Sequence, residues 1–326
     1  MALSADHTGF YCGQERFHPI VQTANECIPE ANAVLVTLPA DLREDLNWSP
    51  HIQSAEKAAA TQQLILWEID LGLSSRAFSP HDSAAFFTYS LAIEEFTMTV
   101  WPQFKHCSLG AVLYRGSLSF EGQFPLAVWE SAFSDWRKDG SPLVSENNHG
   151  YALFCVQAFS EYLHRLVSFL PDELPAFAML DVAAIGSAAT EALLFSKERF
   201  EHLHLILKGA KTPVAKLMWE ENRCLEAQTE CPALGLYLPQ DACITLDILG
   251  ELDLLIEKLK TAGLNYRIIP EEKLTEHWNG LDTLIVPARA VGLQGKRKLL
   301  GFAAAGGTVA VHQGTLDIPG EVTFLV

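Results

Sequence analysis

The chain has 326 residues, 49% hydrophobic and 19% charged, which is enough apolar material for one large or two ordinary domains and too much for a disordered chain. Forty acidic against 23 basic residues leave a formal net charge of −17, so the average surface repels phosphate backbones and anionic membranes. Nucleic-acid and membrane-surface partners are therefore not expected.

The chain opens on residues 1–30, which carry little periodicity. Met1–Arg16 is polar and acidic and does not read as a secretory signal. Ala33-Val-Leu-Val-Thr-Leu38 reads as a first buried strand, closed by Pro39, and an Ala-rich helix follows over Ser54–Gln63. Leu64-Ile-Leu-Trp-Glu-Ile-Asp70 is a second strand. Ser79, Pro80 and Asp82 form a helix start, and the helix runs to about Phe104 with Phe87, Leu91, Phe96 and Val100 as its apolar stripe. Pro102 ends or bends it. Ser108–Arg115 is a third strand, and helices follow over Pro125–Lys138 and His149–Leu170. The Ala- and Leu-rich stretch from Pro175 to Phe195 is interrupted by Asp181 and Gly186, which suits a strand (Phe177–Asp181) and then a helix better than a membrane span. His202–Lys208 is a fifth strand. Residues 211–231 mix charges of both signs without alternation and read as a linker.

Beyond it the pattern starts again. Strands are expected over Leu234–Leu238, Tyr266–Ile269, Leu281–Val286, Thr308–His312 and Val322–Val326, with main helices over Leu246–Thr261 and Leu293–Ala305. Nearly all-apolar strands alternating with helices imply parallel sheets covered on both faces. The domain division is thus 1–210, a linker at 211–231, and 232–326.

Residues 281–311 run strand, Pro287-Ala288-Arg289, helix, Gly306-Gly307, strand. Two glycines let the helix end left-handed and turn at once into the strand. This stretch resembles the glutamine-amidotransferase-like domain that follows the barrel in A4-type β-galactosidases of glycoside hydrolase family forty-two. The resemblance implies a (β/α) barrel before it, and the usual role of such an accessory domain is subunit contact, hence a possible homo-oligomer. The expected fold class is α/β: an incomplete or irregular (β/α) TIM-like barrel plus a small flavodoxin-like, amidotransferase-like parallel-sheet domain. Five strands in about 210 residues fall short of the eight a closed barrel needs. The turn after Val286 has no Cys, which argues against amidotransferase chemistry. The chain as a whole also resembles proteins of chlamydia-like intracellular bacteria, which implies no activity.

In βα sheets, polar residues at the C-terminal strand ends are the functional candidates. Here they are Glu68, Asp70, Tyr114, Arg115, Asp181 and Lys208. Glycoside hydrolysis needs two carboxyl groups, and Asp70 or Glu68 with Asp181 supplies them, while Arg115 and Tyr114 suit substrate oxygens and Trp67 or Trp129 offers a ring for stacking. An acid–Arg network that merely ties strand ends together remains open. So does a degenerate, non-catalytic barrel that serves assembly. The family's acid/base lies in an Asn-Glu pair at a strand end. The sole Asn-Glu here is Asn25-Glu26, before the first strand, so no catalytic residue carries over.

Other patterns point nowhere firm. Glu-x-x-His occurs at Glu146/His149, Glu161/His164 and Glu201/His204, but the fold is not a bundle. His202 and His204 share a strand face at the wrong end of the sheet. Seven scattered Cys without a CxxC read as reduced thiols in a reducing compartment, so a cytoplasmic location is expected, and Cys224, Cys231 and Cys243 match no zinc spacing. Gly292-Leu-Gln-Gly295-Lys296 lacks the full phosphate-loop pattern. Neither a metal nor a cofactor is called for, and a carbohydrate is the expected partner.

Overall fold

Strands that are apolar on both faces can be stable only between two covering layers, and here they line up in chain order. A computed structural model of the chain describes residues 3–6, 9–12, 15–17, 19–23, 30–40, 48–73, 82–117, 126–138, 148–196, 203–212, 217–220, 224–227, 232–240 and 243–324. A small antiparallel meander opens the chain: β1 (Leu3–Asp6), β2 (Gly9–Cys12) and β3 (Glu15–Phe17). Then follow β4 (Val21–Thr23), β5 (Ala33–Pro39), β6 (Leu64–Asp70), β7 (Ser108–Ser117), β8 (Ala176–Asp181), β9 (His204–Lys208) and β10 (Leu217–Glu220). Successive members of these seven pair in parallel, and β11 (Cys224–Ala227) adds an antiparallel edge beside β10. Sequential parallel order is barrel order. Among the described residues β4 and β11 do not pair, so the curled sheet stays open as a partial barrel.

The helices between the strands are α1 (Ser49–Ala60), α2 (Ser83–Glu95), α3 (Trp101–Phe104), α4 (Leu126–Lys138), α5 (Asn148–Val167) and α6 (Ala188–Ser196). They cover the convex face. Asp82 caps α2 by accepting from the Ala85 N–H at 2.9 Å, while Ser79 and Pro80 lie outside the described residues. A widened turn over Phe96–Val100 joins α2 to α3, with the Trp101 N–H reaching back five residues to the Phe96 carbonyl. Pro102 removes one helical donor, and the wide turn accommodates the loss. The expected stripe on this helix is corrected. Phe96 and Val100 are buried with Tyr89, Ala92 and Ile93, but Phe87 and Leu91 face solvent.

The concave side holds a second, smaller core. Leu35, Leu66, Val112, Phe177, Met179 and Ile206 fill it, and Phe10 from β2 plugs it by stacking on Phe177 at 5.6 Å. Burying a ring of this kind contributes roughly 2–3 kcal/mol. Segments 1–30 and 211–231 thus hold strands where the sequence suggested a lead-in and a linker. Strands of three or four residues carry too little alternation to be read alone and are fixed by their neighbours.

Strand β7 bends twice. Its register against β6 slips between Ser108 and Gly110, and against β8 between Val112 and Tyr114. The first slip needs Gly110, because a Cβ there would lie 2.3 Å from the Phe177 ring and 2.7 Å from the Pro175 carbonyl. Each extra residue turns the side-chain alternation over.

The second sheet contains β12 (Leu234–Leu238), β13 (Arg267–Pro270), β14 (Thr283–Pro287), β15 (Thr308–His312) and β16 (Val322–Thr323). Its spatial order, β13-β12-β14-β15-β16, is all parallel and flavodoxin-like. Helices α7 (Leu246–Thr261), α8 (Leu274–His277) and α9 (Leu293–Ala304) accompany it. Gly306 takes φ +98° after α9, as the double glycine implies. The helix-side core of the first sheet runs on into α7 through Leu252, Leu255 and Ile256. Asp253 of α7 also caps α6, accepting from the Ala189 N–H at 2.9 Å and from Ser187 Oγ at 2.8 Å. No helix among the described residues is long and apolar enough to cross a membrane.

Candidate functional site

Along β6 the alternation sends Leu66, Glu68 and Asp70 to the concave face and Trp67 and Ile69 to the helices. On β8, Phe177 and Met179 lie inside, which puts Asp181 on the same face; on β9, Ile206 does the same for Lys208. Strand β7 follows a different count. Leu113 and Tyr114 both belong to the helix-side core, so the second bulge hands the concave face to Arg115. The outcome is one polar rim at the C-terminal ends of adjacent strands: Thr37, Glu68, Asp70, Arg115, Asp181 and Lys208.

Arg115 divides this rim into two depressions. The larger, about 180 Å³, lies over β7, β8 and β9 and is walled by Arg115, Ser117, Asp181 and Lys208 above Met179 and Ile206. The smaller, about 70 Å³, is bordered by Glu68, Asp70 and Arg115. Glu68 is nearly buried and held twice: Thr37 Oγ1 donates to its Oε2 at 2.6 Å and Arg115 Nη1 at 3.4 Å. That contact sets the guanidinium beside Glu68, at the border shared by the two depressions. Asp70 and Asp181 each accept a backbone N–H two residues on, from Gly72 at 2.9 Å and Ala183 at 3.1 Å, and each keeps carboxylate acceptor capacity. The Asp181 and Lys208 backbones sit directly opposite one another.

The proposed aromatic contacts end up elsewhere. Trp67 is fully buried among Phe96 and Phe104, and its Nε1–H donates to Ser108 Oγ at 2.9 Å. Adjacent strand residues face opposite sides, so Trp67 cannot share a surface with Glu68. The Tyr114 ring packs edge-on against Phe159 and its hydroxyl donates to the Ser117 carbonyl at 2.9 Å. Trp129 is buried against Phe154. Sequence reasoning missed Thr37, although a lone hydroxyl in an apolar strand was a visible signal. Asn25-Glu26, Glu146, His202, Cys224 and Cys231 fall either outside the described residues or where no side chain is described. Among the described residues, no group of three His, Cys, Asp or Glu side chains is gathered as a metal site would require.

Other polar groups are sealed. Glu191 on α6 is wholly buried and accepts from the Lys211 and Thr212 N–H groups and the Thr212 hydroxyl. In the second sheet, His312 Nδ1 meets Glu251 Oε1 at 2.7 Å, both buried. Tyr237 donates its hydroxyl to Glu271, and this together with burial raises the phenol well above its ordinary range, burial being the larger cause. Gly295 makes room for that pair, since a Cβ there would come within 2.3 Å of the Tyr237 oxygen.

No protein-family model matches the chain, and no curated protein matches it in sequence. Solved structures do match in fold. A β-galactosidase from the psychrophilic Marinomonas ef1 superposes with a TM-score of 0.52 at 9% identity, over 90% of this chain and 75% of that one. An exo-β-1,4-mannosidase from Opitutaceae bacterium strain TAV5 gives 0.50 at 11% identity, over 96% and 80%. The chain has a glycoside-hydrolase-like fold. At these identities the likeness speaks for the fold alone.

Proposed function

We propose that the protein binds a carbohydrate at the C-terminal rim of its curled sheet and hydrolyses it with Asp70 and Asp181 as the two carboxyl groups. The observation that carries this reading is the gathering of Glu68, Asp70, Arg115 and Asp181 on one concave rim, around two depressions that share Arg115. The two fold neighbours are named as glycosidases, which favours a sugar as the ligand. Asp70 and Asp181 lie two strands apart and about three residues out of step, since Glu68 pairs with Val112 of β7 while Asp181 pairs with Ser117. Arg115 positions the sugar, and Glu68 positions Arg115. Trp67 and Tyr114 take no part, since their rings belong to the helix layer.

The second lobe, without a cysteine after β14, has no amidotransferase role in this proposal. In this proposal it braces the curled sheet through Asp253, which caps α6. The test uses aryl β-galactoside and β-mannoside turnover and calorimetric binding of the free sugars. The wild-type protein is expected to bind or cleave at least one, and D70N and D181N to lose it. Retained binding and turnover in both variants would eliminate the assignment.

A second reading, self-association through the second lobe, is favoured by Leu293 and Leu246, large apolar residues at the starts of α9 and α7 that lie 83% and 53% exposed. Sedimentation velocity over a hundredfold range of concentration tests it, and a strictly monomeric particle removes it.

A further inference from the structure

The larger depression carries an acid and a base that the fold leaves unjoined. Asp181 of β8 and Lys208 of β9 hold directly opposed positions on adjacent parallel strands, whose backbones run about 4.8 Å apart. Both line the depression from the concave face. A carboxylate and an ammonium can meet at that spacing, yet no ion pair joins these two. Asp181 gives one oxygen to the Ala183 N–H at 3.1 Å, and the Lys208 ammonium makes no hydrogen bond among the described residues. Arg115 on the opposite wall is answered by Glu68 at 3.4 Å, so the depression is near electrical balance. What it offers is an acceptor and a donor side by side, above an apolar floor of Met179 and Ile206. At about 180 Å³ the space is well below that of drug-sized pockets and suits one small ring.

A carboxylate only accepts hydrogen bonds and an ammonium only donates them, whereas a hydroxyl does both. Two hydroxyls on neighbouring carbons therefore satisfy the pair together, one donating to Asp181 and one accepting from Lys208. A simple anion or cation satisfies one of the two groups and is repelled by the other. An exposed ion pair between them would be worth little in water, so a diol displaces nothing costly. We infer that Asp181 and Lys208 together grip a vicinal diol of the bound sugar, which makes Lys208 a specificity-determining residue. The inference rests on the carbohydrate reading and adds the hydroxyl pattern and the orientation of the ring. As one of the two carboxyl groups of the reaction, Asp181 lies beside the anomeric carbon, so it accepts from the 2-hydroxyl, and Lys208 donates to the 3-hydroxyl.

Titration calorimetry on the full chain uses methyl β-galactoside and methyl β-mannoside, each with its 2-, 3-, 4- and 6-deoxy analogues. For a parent that binds, loss of the 2- or the 3-hydroxyl should weaken binding about tenfold, the size of one charge-assisted contact, and loss of the other two should change it far less. K208M should weaken the parent by a similar factor and remove the 3-deoxy penalty alone, because that hydroxyl has already lost its partner. Lys208 is exposed at a strand end, so the variant should keep the wild-type circular-dichroism spectrum. A parent that binds without the paired loss at positions 2 and 3 would overturn the inference and leave the carbohydrate reading standing. A 3-deoxy penalty unchanged in K208M would do the same. Failure of both parents and all their analogues to bind would sink both readings.

Discussion

The two parallel sheets of this protein end in the same kind of residue and treat it in opposite ways. At the C-terminal edge of the first, Asp70, Arg115, Asp181 and Lys208 border open depressions; Asp70 and Asp181 each accept one local N–H, and Arg115 pairs with Glu68. Around the second sheet, Glu251 with His312, and Glu271 with Tyr237, are paired and buried. The rule that function gathers at C-terminal strand ends therefore nominates both edges. What separates them is burial: the charged ends of the first edge border open depressions, while the pairs of the second are enclosed. A sealed pair stabilises the fold; an unsealed rim leaves its capacity for a ligand.

The difference can be broken most forcefully at the sealed edge. Glu251→Ala leaves His312 buried beside an emptied position, and a loss of about 3 kcal/mol in urea denaturation is expected. A loss near zero would mean that this edge is as open to water as the first. Gly295→Ala pushes a methyl group into the Tyr237–Glu271 pair and should cost about 2 kcal/mol by overpacking. The same measurement reads it, with sugar binding unaffected.

A smaller effect separates the helix layer from the rim by pH. Burial pushes the Cys155 thiol from 9.0 up to about 12, with a hydrogen bond from Tyr151 opposing the shift. The folded state then holds a proton that the unfolded chain releases above pH ~9, so stability falls as pH rises from there toward ~12. Thermal melts should show about 1–2 kcal/mol lost between pH 9 and 10.5, and Cys155→Ala should flatten that slope. Equal slopes in both proteins would contradict the burial argument.

The smallest stability change belongs to the rim itself. An asparagine oxygen can still accept the Gly72 or Ala183 N–H, so Asp70→Asn and Asp181→Asn should each cost under about 1 kcal/mol while abolishing turnover. A large loss of stability with turnover intact would turn the rim into an acid–Arg tie, and the contrast between the two sheets would vanish.

Much of this was legible in the residues. The long strands 33–39, 64–70, 108–117, 176–181 and 204–208 announce themselves by being apolar over most of their length, as do most strands of the second sheet. Glu68 and Asp70 share a face because they are two apart on a strand. The short strands at 21–23, 217–220 and 224–227 had no such signal. Neither did Phe87 and Leu91, whose helical spacing suited a core stripe but which face outward.

The amino-acid pattern by itself determined the strand–helix alternation, the parallel architecture and the candidates at the strand ends, because these follow from periods of two and 3.6 residues along a local stretch of chain. Tertiary structure alone decided which of Tyr114 and Arg115 looks into the mouth. That choice turns on a bulge in β7, and register is settled between strands. The same holds for Trp67, whose burial depends on which side the helices cover, and for Glu251 and His312, which are 61 residues apart and find each other only once the second sheet has folded.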